Sequence, residues 1–256
     1  MPALDLAAVA RGRTYKTEAI VLRSMRFSEA DRILHLYTLS RGRIGAIAKG
    51  VRKTKSRFGA RLEPLSHVEL MLHEGSGELH TVTGVDLIAS HHDTREDSYR
   101  ANVGLIGAEA MLRLFGEPEA NPRGFAAITR FLDALDEAPA AVHDRPAHDA
   151  LALAFQLKLL WVSGYLPHLK SCVECGATGD LVGFSPRAGG AVCADHAAGS
   201  IALSPDGLMG IEGLLSTPLA DAWEVPISDR ARREALAVVT TSYEEHGGFR
   251  LRTLSA

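Results

Sequence analysis

The stretch RILHLYTLSRGRIGAIA, residues 32–48, decides the first part of the fold. Residues 32–39 alternate as a β-strand does, with Leu34 and Leu36 on one face and Ile33 and Tyr37 on the other. Residues 40–43 then form a short turn, in which a glycine supplies backbone angles that other residues avoid, and 44–48 begin a second strand. The stretch therefore predicts a β-hairpin.

Three further strands are predicted around this hairpin. Residues 18–23 precede it and are rich in β-branched side chains, whereas 67–72 and 79–88 follow it, separated by a glycine-containing turn at 74–77. Five short strands, with no helix long enough to cross between them, predict a small antiparallel barrel. An SH3-like barrel fits the pattern almost as well.

The second part of the chain is predicted to be helical. From about residue 98 the apolar period changes from two to 3.6, and the first helical stripe consists of Val103, Ile106, Ala110, Met111 and Leu114. Helices are also predicted over 125–135, over the almost wholly apolar 147–163, and after the capping residues Ser204 and Ser228. A glycine-rich, cysteine-bearing insert at 168–200 separates the third helix from the fourth. These patterns predict an α+β multidomain protein.

Charge is distributed unevenly along the chain. Residues 1–61 carry fourteen of the 28 basic side chains and four of the 31 acidic ones, a local net of +10, so the remainder carries −13. This asymmetry indicates that one end of the protein meets a polyanion. The candidate DNA-binding residues are Arg23, Arg26, Arg41, Arg43, Lys49, Arg52, Lys53, Lys55, Arg57 and Arg61, the last eight forming a tract without an acid. Phe27, Tyr37 and Phe58 are interleaved with them and belong either to a base-stacking platform or to the core.

The cysteines predict a metal site. Cys172 and Cys175 form one pair of potential ligands, and Cys193 with His196 forms a second pair after 17 residues, a spacing typical of structural zinc. Asp195 is an alternative fourth ligand. The alternative to a metal site is that the three cysteines bind no metal. Because an odd number of cysteines lies in one short region, a reduced compartment is expected.

No carboxylate pair, triad or cofactor loop in the sequence supports a reaction, so we expect a protein that is not an enzyme. A nuclease using Asp93, Glu96 and Asp97 is one alternative, although these acids are more typical of a polar connector before a helix. A zinc-containing RNA-binding module is a second alternative. No run of about 18 apolar residues predicts a membrane span, and the apolar start lacks the positive charge of a signal peptide, so a cytoplasmic location is expected.

Three motifs resemble the RecO family of DNA repair and recombination mediators. They are Thr17–Arg23, Ser28–Leu34 and Gly45–Arg52, and similarity continues through 57–65 and from Trp161 to the cysteine motif. The resemblance implies an N-terminal OB-fold, a helical domain and an inserted zinc-finger-like motif. Family members that carry a fourth cysteine have it where this chain has His196.

The resemblance also implies a function and partners. It implies binding of single- and double-stranded DNA, annealing of complementary strands, and action with RecR and single-strand-binding protein to help load RecA, so nucleoid association is expected. The implied domains are an N-terminal extension at 1–14, an OB-fold at 15–90, a helical domain at 91–167 and 201–256, and the zinc-finger-like insert at 168–200.

Overall fold

The computed structural model describes residues 13–53, 55–75, 77–116, 118–139 and 145–254. The predicted extension, apart from Arg13 and Thr14, lies outside them, as do Thr54 within the basic tract and Ser76 in the predicted turn. The chain divides into two compact units. The first comprises the described residues up to Ser90 together with those of Phe115–Phe125, and the second comprises those of His91–Leu114 and of 126–254.

The first unit is a closed five-stranded barrel. Its strands are β1 (Thr14–Arg26), β2 (Arg32–Thr38), β3 (Gly42–Ala48), β4 (His67–His73) and β5 (His80–Ala89). The order around the barrel is β1-β2-β3-β5-β4. The predicted hairpin is confirmed, and Gly42 has the positive φ of 64° that the turn requires.

Closure of the barrel distinguishes the two predicted architectures. The long strand β1 has an irregularity between Val21 and Arg23 and pairs with both β2 and β4. The ring closes through a short parallel pairing of β3 with β5, Ala46 opposite His80 and Ile47 opposite Thr81. A five-stranded Greek-key barrel of this kind is an OB-fold, which confirms that prediction over the SH3-like alternative.

The side chains at alternate positions of the strands fill the barrel interior. Leu34 and Leu36 of β2 point inward, where they pack with Ala46 of β3 and Leu70 of β4 in one buried cluster. Tyr37 is also buried, and its ring lies 5.5 Å from that of Phe115. The segment Phe115–Phe125, which the sequence places in the helical domain, is therefore grouped with the barrel. The other predicted domain boundaries stay predictions.

In addition to short 3-10 and π-helical turns, the described part of the second unit contains six α-helices, of which α3 begins within the segment 115–125 that is grouped with the barrel. They are α1 (His92–Glu96), α2 (Ser98–Leu114), α3 (Pro122–Glu137), α4 (Ala150–Val162), α5 (Pro205–Ser216) and α6 (Asp229–Ser242). The predicted caps are confirmed, because Ser204 Oγ accepts from Gly207 N at 3.0 Å and Ser228 Oγ accepts from Ala231 N at 3.2 Å. No helix among the described residues is long and apolar enough to span a bilayer.

The start of α4 differs from the prediction for a local reason. Residues Pro146–His148 form a separate 3-10 turn, and Asp149 then caps α4 by accepting from Leu151 N and Ala152 N. The helix is buried almost throughout, and the side-chain oxygen of Gln156 is satisfied by the Tyr243 hydroxyl at 2.5 Å. The bond satisfies the amide oxygen of Gln156 inside the helix, whereas its amide nitrogen is buried without a hydrogen-bond partner among the described residues.

Candidate nucleic-acid interface and metal centre

The loop after β3 is fastened to the turn between β1 and β2. Arg52 donates its backbone N–H to Ala30 O at 3.0 Å, and its guanidinium donates to Ser28 O at 3.3 Å and Glu29 O at 2.9 Å. Gly50 N donates to Asp31 Oδ1 at 2.8 Å. These bonds hold two loops of one barrel end together, and we call the two segments, 26–32 and 49–53, the cationic end.

The cationic end collects several of the predicted DNA-binding residues. Arg26 lies at the end of β1, and Lys49, Arg52 and Lys53 lie in the fastened loop; all four side chains are exposed. Lys55 and Arg57 follow in the same connection and are also exposed, with the Arg57 guanidinium 4.8 Å from the Phe58 ring. Exposed cations side by side suit a phosphate backbone.

Arg23 and Arg43 lie on the outer face of the sheet. Arg23 is paired across the strands with His35, whose neighbours Leu34 and Leu36 point into the barrel. Burial, together with the charges of Arg23 and Arg43, lowers the pKa of His35. Burial is the larger cause, and the two arginine charges act in the same direction. This outer face includes β2 and β3, the strands on which OB-folds bind oligonucleotides.

Arg41 and Arg61 are not brought together with the others. The Arg41 guanidinium forms an ion pair with Glu74 at 2.8 Å and lies 4.0 Å from the centre of the Tyr15 ring, at the other end of β2 and β3. Arg61 donates to the carbonyl oxygens of Phe58 at 3.0 Å, Val85 at 2.9 Å and Arg57 at 2.6 Å. Both side chains are therefore engaged within the barrel unit.

The three interleaved aromatic residues separate into two kinds. Tyr37 and Phe58 are 0% and 2% exposed and belong to the interior, whereas Phe27 at the cationic end is 59% exposed. Alternation along a strand could not reveal this difference, because Phe27 lies in a turn.

The predicted metal ligands meet in the insert. Their ligand atoms, from Cys172, Cys175, Cys193 and His196, all lie within 4.8 Å of one another. The measured separations are 3.7 Å between the sulfurs of Cys175 and Cys193, and 3.8 Å and 3.3 Å from His196 Nδ1 to the sulfurs of Cys172 and Cys193. A zinc tetrahedron has edges of about 3.8 Å between sulfurs and about 3.6 Å from sulfur to nitrogen, so the donor set and its spacing fit zinc.

Two local structures bring these ligands together. The first pair lies in a turn in which Gly176, with φ of 77°, donates to Cys172 O at 2.8 Å. The second pair begins at Cys193, the last residue of strand β7 (Gly190–Cys193). The two pairs are connected by a hydrogen bond that Val173 N donates to Ala191 O of β7 at 2.9 Å. Strands β6 (Leu181–Ser185) and β8 (Ile201–Ala202) complete a three-stranded sheet in the order β7-β6-β8.

Electrostatics favour thiolate at Cys172, whereas hydrogen bonds to the neighbouring cysteines contribute to a raised pKa of the Cys175 thiol. Burial acts to raise the pKa of the Cys172 thiol, but hydrogen bonds from the backbone of Cys193, Cys175 and Glu174 lower it to about 6. The contact with Cys193 raises the pKa of His196. Asp195, the alternative ligand, is not part of the group of ligand atoms.

The three acids of the alternative nuclease site lie in or next to α1, and two of them contact residues of α1 and α2. Asp97 accepts from Tyr99 N at 2.8 Å and Arg100 N at 3.0 Å at the start of α2, and Glu96 lies 4.0 Å from His92. Among the residues that the structure describes, the Cys3His set is the one group of three or more potential metal ligands. Asp93, Glu96 and Asp97 therefore form no such group.

A groove in the helical unit was not identified from the sequence. Its cavity volume is about 660 Å³, and it is lined by Lys158, Trp161, Leu166, Lys170 and Leu215 among others. Trp161 and Leu166 are 55% and 50% exposed. Lys158 Nζ donates to Leu215 O at 2.7 Å, and burial lowers its pKa. The position of Lys158 on α4, a helix whose other polar residue is Gln156, was the one signal for the groove in the sequence.

Comparisons with known proteins give one consistent family. The model of the recombination protein O N-terminal region matches residues 13–91, and that of its C-terminal region matches residues 95–255. The DNA repair protein RecO of Rubrobacter xylanophilus is 38% identical over 239 residues, covering 90% of each chain. That of Frankia casuarinae is 39% identical over 249 residues, covering 94% of this chain and 96% of the relative. These names do not support the RNA-binding alternative.

Proposed function

Because the chain belongs to the recombination protein O family of DNA repair proteins, we propose that it is a recombination mediator that binds single- and double-stranded DNA and anneals complementary strands. The proposal includes action with RecR and single-strand-binding protein to help load RecA, and location at the nucleoid. In this role the protein holds DNA and partner proteins and is not an enzyme.

The observation that carries the proposal is the fastening of the loop after β3 to the β1–β2 turn. It gathers Arg26, Lys49, Arg52 and Lys53 at one barrel end, close in sequence to Lys55 and Arg57. Annealing requires two anionic strands to approach, and cations that displace counterions from phosphates reduce their repulsion. Contacts of this type carry little sequence information, as a mediator working at any gap requires.

Strand annealing tests the proposal directly. Complementary oligonucleotides, bare or coated with cognate single-strand-binding protein, are combined with the protein at two salt concentrations. We expect annealing that weakens with salt and is lost in the double variant Lys49→Glu with Lys53→Glu, which reverses two exposed charges and keeps the Arg52 bonds that hold the loop. The matched control, Arg187→Glu with Arg233→Glu, changes charge equally at exposed positions of the second unit, in the β6–β7 turn and on α6, and should anneal normally. Absence of annealing by the folded wild type at both salt concentrations would refute the mediator function.

Competition with RNA tests whether the protein prefers DNA or RNA. We expect single-stranded DNA to compete at least as well as RNA of the same length and sequence for the labelled DNA complex. A clear preference for RNA would overturn the proposed substrate, because the same cations neutralise both backbones and only contacts to the sugar or bases distinguish them.

We propose that the Cys3His group holds structural zinc. Cys172, Cys175 and Cys193 supply thiolates and His196 an imidazole, which are ligands that zinc prefers. A four-ligand site has no open position for a reacting water, so the ion would stabilise the insert. Metal analysis of the purified protein is expected to find one zinc per chain, and a metal-free folded protein would contradict this role.

We propose that the groove beside α4 receives the acidic, hydrophobic tail of single-strand-binding protein. Trp161, Leu166 and Leu215 offer an apolar surface, and Lys158 and Lys170 offer positive charge. A synthetic tail peptide should bind the wild type and should bind at least about tenfold more weakly to Trp161→Ala, because a large exposed aromatic is a typical anchor. Equal affinity for both proteins would show that the tail does not bind in this groove.

A further inference from the structure

Phe27 is an exposed aromatic residue in the turn of the cationic end. It follows Arg26 at the end of β1 and is 59% exposed, whereas Tyr37 and Phe58 of the same unit are buried. An exposed phenylalanine contributes nothing to the barrel interior. Its solvent-facing ring is therefore available to a ligand.

The backbone that carries Phe27 is fixed by hydrogen bonds. Phe27 N donates to Asp31 O at 3.1 Å, and the carbonyl oxygens of Ser28 and Glu29 both accept from the Arg52 guanidinium. Asp31 in turn accepts from Gly50 N. These bonds fix the backbone of the turn and so the direction in which the Phe27 side chain leaves it, which lowers the backbone entropy lost on binding.

The charges around the ring determine what kind of ligand fits. Arg26, Lys49 and Lys53 are exposed cations of the same barrel end, while Asp31 is engaged with Gly50, which leaves Glu29 as the exposed acid of the turn. A flat apolar ring among cations is suited to a nucleotide, whose base stacks while its phosphates meet the positive charges. A partner protein with an apolar contact surface gains little from these cations.

We infer that Phe27 stacks on an unpaired base of a bound single strand and so gives the cationic end a preference for single-stranded over duplex DNA. The inference rests on the proposed function, because it requires DNA to bind at this end of the barrel. Bases inside a duplex are already stacked on their neighbours and are not available to the ring without the cost of unstacking. Phe27 therefore strengthens single-strand binding selectively.

The test compares Phe27→Ala, Phe27→Tyr and the wild type on three ligands of equal length: an oligo-dT strand, the same backbone with abasic sites, and a duplex. Leu39→Ala is the control, since Leu39 is exposed and apolar but lies at the other end of β2. For oligo-dT we expect an affinity loss of about fivefold or more in Phe27→Ala, near-normal binding in Phe27→Tyr, and no change in the control. On the abasic strand and the duplex, wild type and Phe27→Ala should bind equally.

The outcomes separate this inference from the proposed function. If the wild type binds all three ligands with a salt-dependent affinity but Phe27→Ala binds oligo-dT equally well, stacking by Phe27 is refuted while DNA binding stands. A loss of the same size on all ligands also refutes it, because it would indicate a change in folding or a contact that does not involve an unpaired base. If the wild type binds none of them, the proposed function itself fails.

Discussion

The salt dependence of DNA binding can distinguish the exposed cations from those engaged within the barrel. We consider the triple variant Lys49→Gln, Lys53→Gln, Lys55→Gln, which removes three exposed charges while keeping long polar side chains. If the wild type contacts about five phosphates of a single strand, its log–log salt slope is about −3.5, and the variant's slope is about −1.4. Between 50 and 200 mM salt, the wild type would lose about 100-fold in affinity and the variant about sevenfold.

The assay is fluorescence anisotropy of a labelled oligonucleotide titrated at four or more salt concentrations. Arg41→Gln is the matched control, because Arg41 is paired with Glu74 and lies at the other end of the hairpin. Its slope should stay within about one contact, or about 0.7, of the wild-type slope. An unchanged slope in the triple variant, or an equal reduction in Arg41→Gln, would refute the assignment of DNA to the cationic end.

Three further predictions concern the helical unit. His196→Ala should lower the zinc content measured by atomic absorption, whereas Asp195→Ala should retain it; the reverse result would make Asp195 the ligand. Burial acts to raise the pKa of Glu109, but hydrogen bonds from Thr253 and Arg252 lower it. Its stabilising effect is therefore complete above the ordinary glutamate pKa of about 4.3 and is lost as pH falls through the lower folded-state value. Glu109→Gln should reduce the free energy of unfolding by about 1 kcal/mol at pH 7 and by less at low pH in urea titrations; a difference independent of pH would contradict this. Gly107→Ala would place a methyl group 2.4 Å from the Phe131 ring, so we expect a loss of about 1–3 kcal/mol by thermal unfolding, and an unchanged melting temperature would show that the ring can move.

Local patterns in the sequence identified the elements of the fold. The alternation in 32–48 and the glycine turn fixed the hairpin, because side-chain direction in a strand depends on the nearest neighbours. Ser204 and Ser228 marked two helix starts because a cap acts within three residues. The cysteine spacing predicted the ligand group for the same reason, since each ligand pair lies within one short turn.

Features that depend on distant residues were not accessible in this way. Arg41 and Arg52 look alike in the sequence, yet the partner of Arg41 lies 33 residues away, whereas Arg52 fastens the β1–β2 turn. The assignment of Phe115–Phe125 to the barrel unit depends on packing against residues such as Tyr37. The groove of the helical unit combines α4 with segments around Leu166 and Leu215, which only the folded chain brings together.

The short parallel pairing of β3 with β5 has a consequence for how the barrel opens. Separating Ala46 from His80 and Ile47 from Thr81 would turn the ring into an open sheet while leaving the antiparallel pairings intact. Such a partial opening requires less free energy than global unfolding, so amide hydrogen exchange should be fastest at this position within the sheet. The opened form would expose two unpaired strand edges, and a chain caught in it could join its neighbour edge to edge before it joined any DNA.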